Sequence, residues 1–178
     1  MFRPPDAYNR VAQSLHWLAA ACILSAIPMG AAMTRVGPGP LQNTLFDLHR
    51  SMGFVVLVLM LIRIAWRVYS PPPPRQTPLP RWQSIAAESA HGILYLGLIL
   101  NPLIGWIGTN AFPAPIKVFG LFTLPTLVEK DRALSELLLT IHEYLSLFLA
   151  AVILVHIAAA LQHHFIKKDD TLRRMLPW

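Results

Sequence analysis

The sequence predicts an all-α integral membrane protein built as a four-helix bundle, and three observations carry that prediction. Hydrophobic residues fill 54% of the 178 positions and charged residues only 13%, the mean hydropathy is +0.48, and the apolar residues gather into four long stretches. Each stretch reaches the roughly 20 residues a helix needs to cross a bilayer, and an ordinary soluble domain carries about twice that share of charge. One membrane domain is expected over 1–178, with little chain left for a soluble one.

The first span is expected at 11–33. Arg10 before it and "GAAM" after it imitate a secretory signal, but the apolar run is too long for one. "VGPGPLQN" at 36–43 reads as a short turn, because Gly and Pro end one helix before the next begins, and the second span follows at 46–67. "YSPPPPRQTPLPR" at 69–81 cannot be helical and reads as a stiff, solvated polyproline-like linker. The third span, 89–109, contains Asn101-Pro102; Pro102 has no N–H to give the preceding turn, so a kink is expected there. The connection 110–134 is too apolar for a free linker and is expected to fold back onto the membrane surface. The fourth span covers 135–161.

Charge gives the orientation. Of the Lys and Arg residues, ten fall on the side of the two termini, whereas Arg35, Arg50, Lys117, Lys130 and Arg132 fall on the other, where five carboxylates cancel them. The positive-inside tendency therefore puts both termini in the cytoplasm. The net +6 is a topology signal and not the footprint of a nucleic-acid partner. Cys22 is the single cysteine, so a disulfide framework, a thiolate cluster and covalent haem attachment are all excluded. Nucleophile elbows, phosphate-binding glycine loops, metalloprotease helices and dinucleotide fingerprints are absent too.

The informative residues are the seven histidines. A lone histidine in a span is ordinarily packed and hydrogen-bonded, so the set is judged by depth and face. His142 and His156 are fourteen residues apart, which on a helix is about 21 Å of rise and about 40° short of four turns; they share a face at opposite membrane edges. By topology His49 is available at the outer level beside His142. At the inner level His16 matches His156 in depth, with His91 as a competitor. Two facing imidazoles at each of two levels of a four-helix bundle make two axial sites for non-covalent haem b. Small residues near those levels leave room for a flat macrocycle, although they serve close helix packing equally well. A structural zinc site would be short of ligands. Arg10, Arg50 and Arg63 are candidate partners for haem propionates; Arg10 and Arg50 equally suit headgroup anchoring, and Arg63 is costly in a span without an anion unless it snorkels.

Four stretches, "YNRVAQSLHWL", "LHRSMGFVVLVLMLIRIAWR", "AHGILYLGLILNPLIGW" and "IHEYLSLFLAAVILVHIAAALQHHFIKKDDTLRRMLP", together resemble the bacterial cytochrome b561 family, relatives of the cytochrome b subunits of nickel hydrogenases and formate dehydrogenases. The resemblance implies a multi-pass protein of the bacterial inner membrane holding two haem b groups, the inner one by His16 and His156 and the outer one by His49 and His142. It leaves His91 as a non-ligand near a propionate. Likeness to the superoxide oxidase branch further implies oxidation of superoxide at the periplasmic side and reduction of ubiquinone, with His163, His164 and Lys167 as candidates for the quinone end. The alternative it implies is an electron-transfer subunit serving another redox protein, such as a hydrogenase, a dehydrogenase or a periplasmic carrier.

Overall fold

The computed structural model describes residues 6–74 and 80–177. Four helices make up most of the chain: α1 (Arg10–Met33), α2 (Pro40–Tyr69), α3 (Arg81–Ala111) and α4 (Arg132–Gln162). All four are long and apolar enough to cross a membrane. Between α3 and α4 two short strands, β1 (Lys117–Val118) and β2 (Phe122–Thr123), pair antiparallel. A π-helical turn, His163–Lys167, extends α4, and a short 3-10 turn, Arg173–Met175, closes the tail.

The helix starts follow local chemistry. Asn9 caps α1 by accepting from the Ala12 N–H at 2.9 Å, and Asp131 caps α4 by accepting from Leu134 at 3.0 Å, each satisfying one of the orphan donors of a first turn. Pro40 opens α2, where its missing N–H costs nothing. The helix therefore claims Leu41–Asn43 from the turn read at 36–43. α3 likewise begins at Arg81, a full two turns before the span expected at 89, because Pro80 serves as its cap and polar residues suit a helix once it leaves the hydrocarbon. Ser70–Pro74 are non-helical, as the linker reading requires, and its residues 75–79 lie outside the described residues. α1 and α3 continue through Pro28 and Pro102.

α1 packs along α2 and α3 along α4, with sparser contact between the two pairs. Ala19, Ile23, Val56 and Met60 form the buried seam of the first pair. In the second, Gly97 lets Leu149 approach so closely that a Cβ there would lie 2.5 Å from the leucine. The connection 110–134 folds back onto the helices themselves: Ile116, Val118 and Leu124 are buried against Phe54 of α2 and Trp106 of α3. Its tight turn places Phe119 and Gly120 at φ 48° and 73°, as type I′ turns require. Ser51, 1% exposed, pins that turn by accepting from the Phe119 N–H at 2.8 Å.

Candidate functional site

α4 supplies the axis of the site. His142, Leu149, His156 and His163 recur every seven residues and so form one stripe of the helix. At the loop end, His49 of α2 meets His142 with ring centres 5.9 Å apart and planes at 86°. At the termini end, His16 of α1 lies 6.3 Å from His156, planes at 65°. His91 of α3 joins that second group, its ring 5.5 Å from that of His156. Three imidazoles therefore share the termini-side level, and two share the other.

The two loop-end histidines are seated by the same device. His49 Nδ1 is 2.9 Å from the Ala26 carbonyl, and His142 Nδ1 is 2.9 Å from the Asn101 carbonyl. Four residues beyond each acceptor stands a glycine. A Cβ on Gly30 would lie 2.9 Å from His49 Cε1, and one on Gly105 would lie 3.0 Å from His142 Cε1 and Nδ1. The missing side chain opens the groove through which each ring reaches its carbonyl. With Nδ1–H donating to a carbonyl, the neutral ring keeps Nε2 as its free lone pair, which is the arrangement metal-binding imidazoles adopt. His16 differs, since its Nδ1 is buried with no hydrogen-bond partner among the described residues.

Cations gather unevenly around these levels. Arg63 and Arg67 stand one turn apart on α2, and both guanidiniums lie over the Tyr95 ring, at 5.3 and 5.7 Å. Arg67 is a residue the sequence reading passed over, although its spacing from Arg63 was visible. Arg10 is exposed at the first position of α1. Arg50 lies over Phe46 at 5.1 Å and 3.8 Å from Asp47. A cavity of about 490 Å³ opens beside the termini-side level, lined by Tyr8, Arg67, Glu88, His91 and Tyr95 with prolines 72–74.

Of the residues assigned to a quinone end, the structure brings two together. Lys167 Nζ is 3.4 Å from His163 Nε2 and donates to Gln83 Oε1 at 2.8 Å; His163 Nδ1 is 2.5 Å from Asp169 Oδ2. Burial raises the Asp169 carboxyl, but hydrogen bonds from Thr171 and His163 outweigh it and hold the group below the ordinary carboxylate range. His164 stands apart, edge-on to Phe165 at 4.7 Å. Arg174, read from the sequence only as a basic tail residue, is 8% exposed. It donates to the Asp6, Pro73 and Pro74 carbonyls at 2.8, 3.2 and 2.7 Å, and its own carbonyl accepts from Gln13 Nε2 at 3.0 Å. The tail thus forms the floor of the bundle beneath His16.

With four apolar helices and paired histidines at two depths in view, comparison with known proteins is decisive. The profile of prokaryotic cytochrome b561 matches residues 7–178. This chain belongs to the prokaryotic cytochrome b561 family. It is 33% identical over 176 residues to cytochrome b561 homolog 2 of Escherichia coli (strain K12), covering 97% of this chain and 92% of that protein. It is 30% identical to the probable superoxide oxidase CybB of Yersinia pestis, covering 96% of each. Cytochrome b562 of Cereibacter sphaeroides is 30% identical over 95% of this chain and 94% of its own. The protein is accordingly a multi-pass, haem b-binding electron-transfer protein of the bacterial inner membrane.

The side chains of this chain fit that cofactor. Two imidazole nitrogens bound to one first-row metal ion, each at about 2 Å, put their ring centres on the order of 6 Å apart, and the observed pairs stand at 5.9 and 6.3 Å. The orphaned His16 Nδ1 marks a buried ring whose polar capacity is not spent on hydrogen bonds among the described residues.

Proposed function

We propose that the protein carries electrons between two haem b sites, His49 with His142 and His16 with His156, taking them from superoxide on the periplasmic side and delivering them to ubiquinone. The observation that carries this is the single α4 stripe on which His142 and His156 each meet an imidazole of another helix. Haem b bound there supplies one-electron redox chemistry. In the balance, two superoxide anions become two dioxygen molecules, and one ubiquinone takes up their two electrons and two protons to become ubiquinol. His49 and His142 hold the outer site, His16 and His156 the inner one, and Arg63 with Arg67 offset carboxylate charge at the inner level. His91, beside His156 and the cavity, belongs to the surroundings of that site. His163, His164 and Lys167 form the ubiquinone end. The excess of cations on the termini side supports a cytoplasmic position for both termini.

What supports superoxide as donor is the likeness to the Yersinia protein named a probable superoxide oxidase. Loop-end charge lends less, because Arg132 is paired with Glu136 at 2.8 Å and Arg50 shares its charge with Asp47. The second reading, a carrier serving another redox protein, is favoured by the relatives named only as cytochromes. Mixing the purified protein with superoxide in a stopped-flow optical experiment separates the two: fast haem reduction, followed by ubiquinol formation, supports the oxidase, and an unreduced spectrum removes it. Haem counts on His16→Ala, His49→Ala, His142→Ala and His156→Ala test the ligands. Two haems in the parent and one in each variant are expected; retention in His156→Ala with loss in His91→Ala overturns the inner pairing.

A further inference from the structure

Asn101 is a buried amide in the middle of an apolar helix, 8% exposed, and intramembrane polar side chains are costly enough that they ordinarily mark function. Its hydrogen bonds close a ring. The Asn101 carbonyl accepts from His142 Nδ1 at 2.9 Å. The His142 carbonyl accepts from Ser146 Oγ at 2.7 Å. Ser146 Oγ in turn accepts from Asn101 Nδ2 at 2.8 Å. Main chain and side chain of one residue on α3 thus grip the ring and the backbone of one residue on α4.

No such ring surrounds the other loop-end histidine. His49 Nδ1 reaches the Ala26 carbonyl, but alanine has no side chain to return a bond to α2. The two imidazoles that meet at 5.9 Å are therefore held with unequal rigidity: His142 by a closed cycle across α3 and α4, His49 by one bond. Pro102 follows Asn101 directly, which removes one N–H from the local helix ladder and makes the added side-chain lock useful at that turn.

We infer that Asn101 and Ser146 are positioning residues for His142, fixing its ring rotation and the length of its Nδ1 hydrogen bond and so setting the redox potential of the outer haem apart from that of the inner one. The inference rests on the reading of His142 as an axial ligand. A firm hydrogen bond at Nδ1 makes the other ring nitrogen a more basic ligand, which favours the oxidised metal. Loosening the clamp raises the potential of that site and leaves the other unmoved.

The test is a redox titration followed optically, with low-temperature EPR of the oxidised protein, on full-length Asn101→Ala, Ser146→Ala and the double variant. The expected result is an upward shift of one of two midpoint potentials and a changed EPR signal for one haem, with two haems still bound. The double variant is expected to shift little beyond either single one, because both substitutions open the same ring. Ser146→Ala keeps the test alive if Asn101→Ala does not fold. Equal shifts of both potentials, or none in either single variant, overturn the clamp. His142→Ala keeps the two failures apart: loss of one haem there with unmoved potentials in the single variants sinks the clamp alone, and retention of both haems sinks the ligand reading with it.

Discussion

His49 Nδ1 sits 2.9 Å from the carbonyl oxygen of Ala26, in a groove that exists because the residue one turn further along is Gly30. The same relation joins His142, Asn101 and Gly105. Gly30→Val and Gly105→Val each force a ring out of its groove. Overpacking of this kind costs about 1–3 kcal/mol, but the larger effect falls on the cofactor. Each variant is expected to lose one of two haems while keeping its helical circular dichroism; a haem count on purified protein checks it.

Ser51 holds the loop-end turn by bonding the N–H of Phe119. Phe119 has a left-handed φ, which a bulky residue adopts only where its surroundings impose it. Ser51→Ala removes the hydrogen bond that N–H makes, a loss of about 0.5–1.5 kcal/mol. Faster proteolysis within 112–128, with the four helices intact, is the expected outcome of a limited digestion.

Arg174 bonds three carbonyls from two separate segments. Hydrogen bonds to a charged donor contribute about 1.5–3 kcal/mol each, and the losses overlap. Arg174→Ala is therefore expected to destabilise the protein by about 2–4 kcal/mol. Arg174→Lys rescues little, because a lysine cannot present the fork that reaches the Asp6 and Pro74 carbonyls together. Thermal unfolding in detergent, followed by tryptophan fluorescence, measures both.

Asp169 has a depressed carboxyl pKa in the folded chain, with Thr171 and His163 as its partners. The sign follows from linkage: a carboxyl lower in the folded state than in the unfolded one contributes stability above the unfolded value, about 3.9, and that stability is lost as pH falls through the lower folded value. Asp169→Asn removes the titration. The difference in melting temperature between wild type and variant is expected to shrink as the pH falls below about 4.

The shared stripe of His142 and His156 was legible in the sequence because helical periodicity fixes which residues of one helix share a face, whatever the helix packs against. The four spans were legible for a similar reason, since bilayer thickness sets the length of an apolar run. Helix starts were less so: Pro40 and Pro80 read equally as turn residues, and only the finished path of the chain makes Pro40 the first position of α2 and Pro80 the cap of α3.

What the sequence by itself determined is the membrane class, the four spans and the depth of each histidine, all of which depend on composition and spacing along one helix. The tertiary structure alone decided which atoms meet across helices. It brought Ala26 to His49 and Asn101 to His142, cleared their paths with Gly30 and Gly105, set His91 nearer to His156 than His16 is, and buried Arg174 beneath the bundle. Such pairings depend on the rotation and stagger of separate helices, which are fixed by packing summed over the whole seam and by no local run of residues.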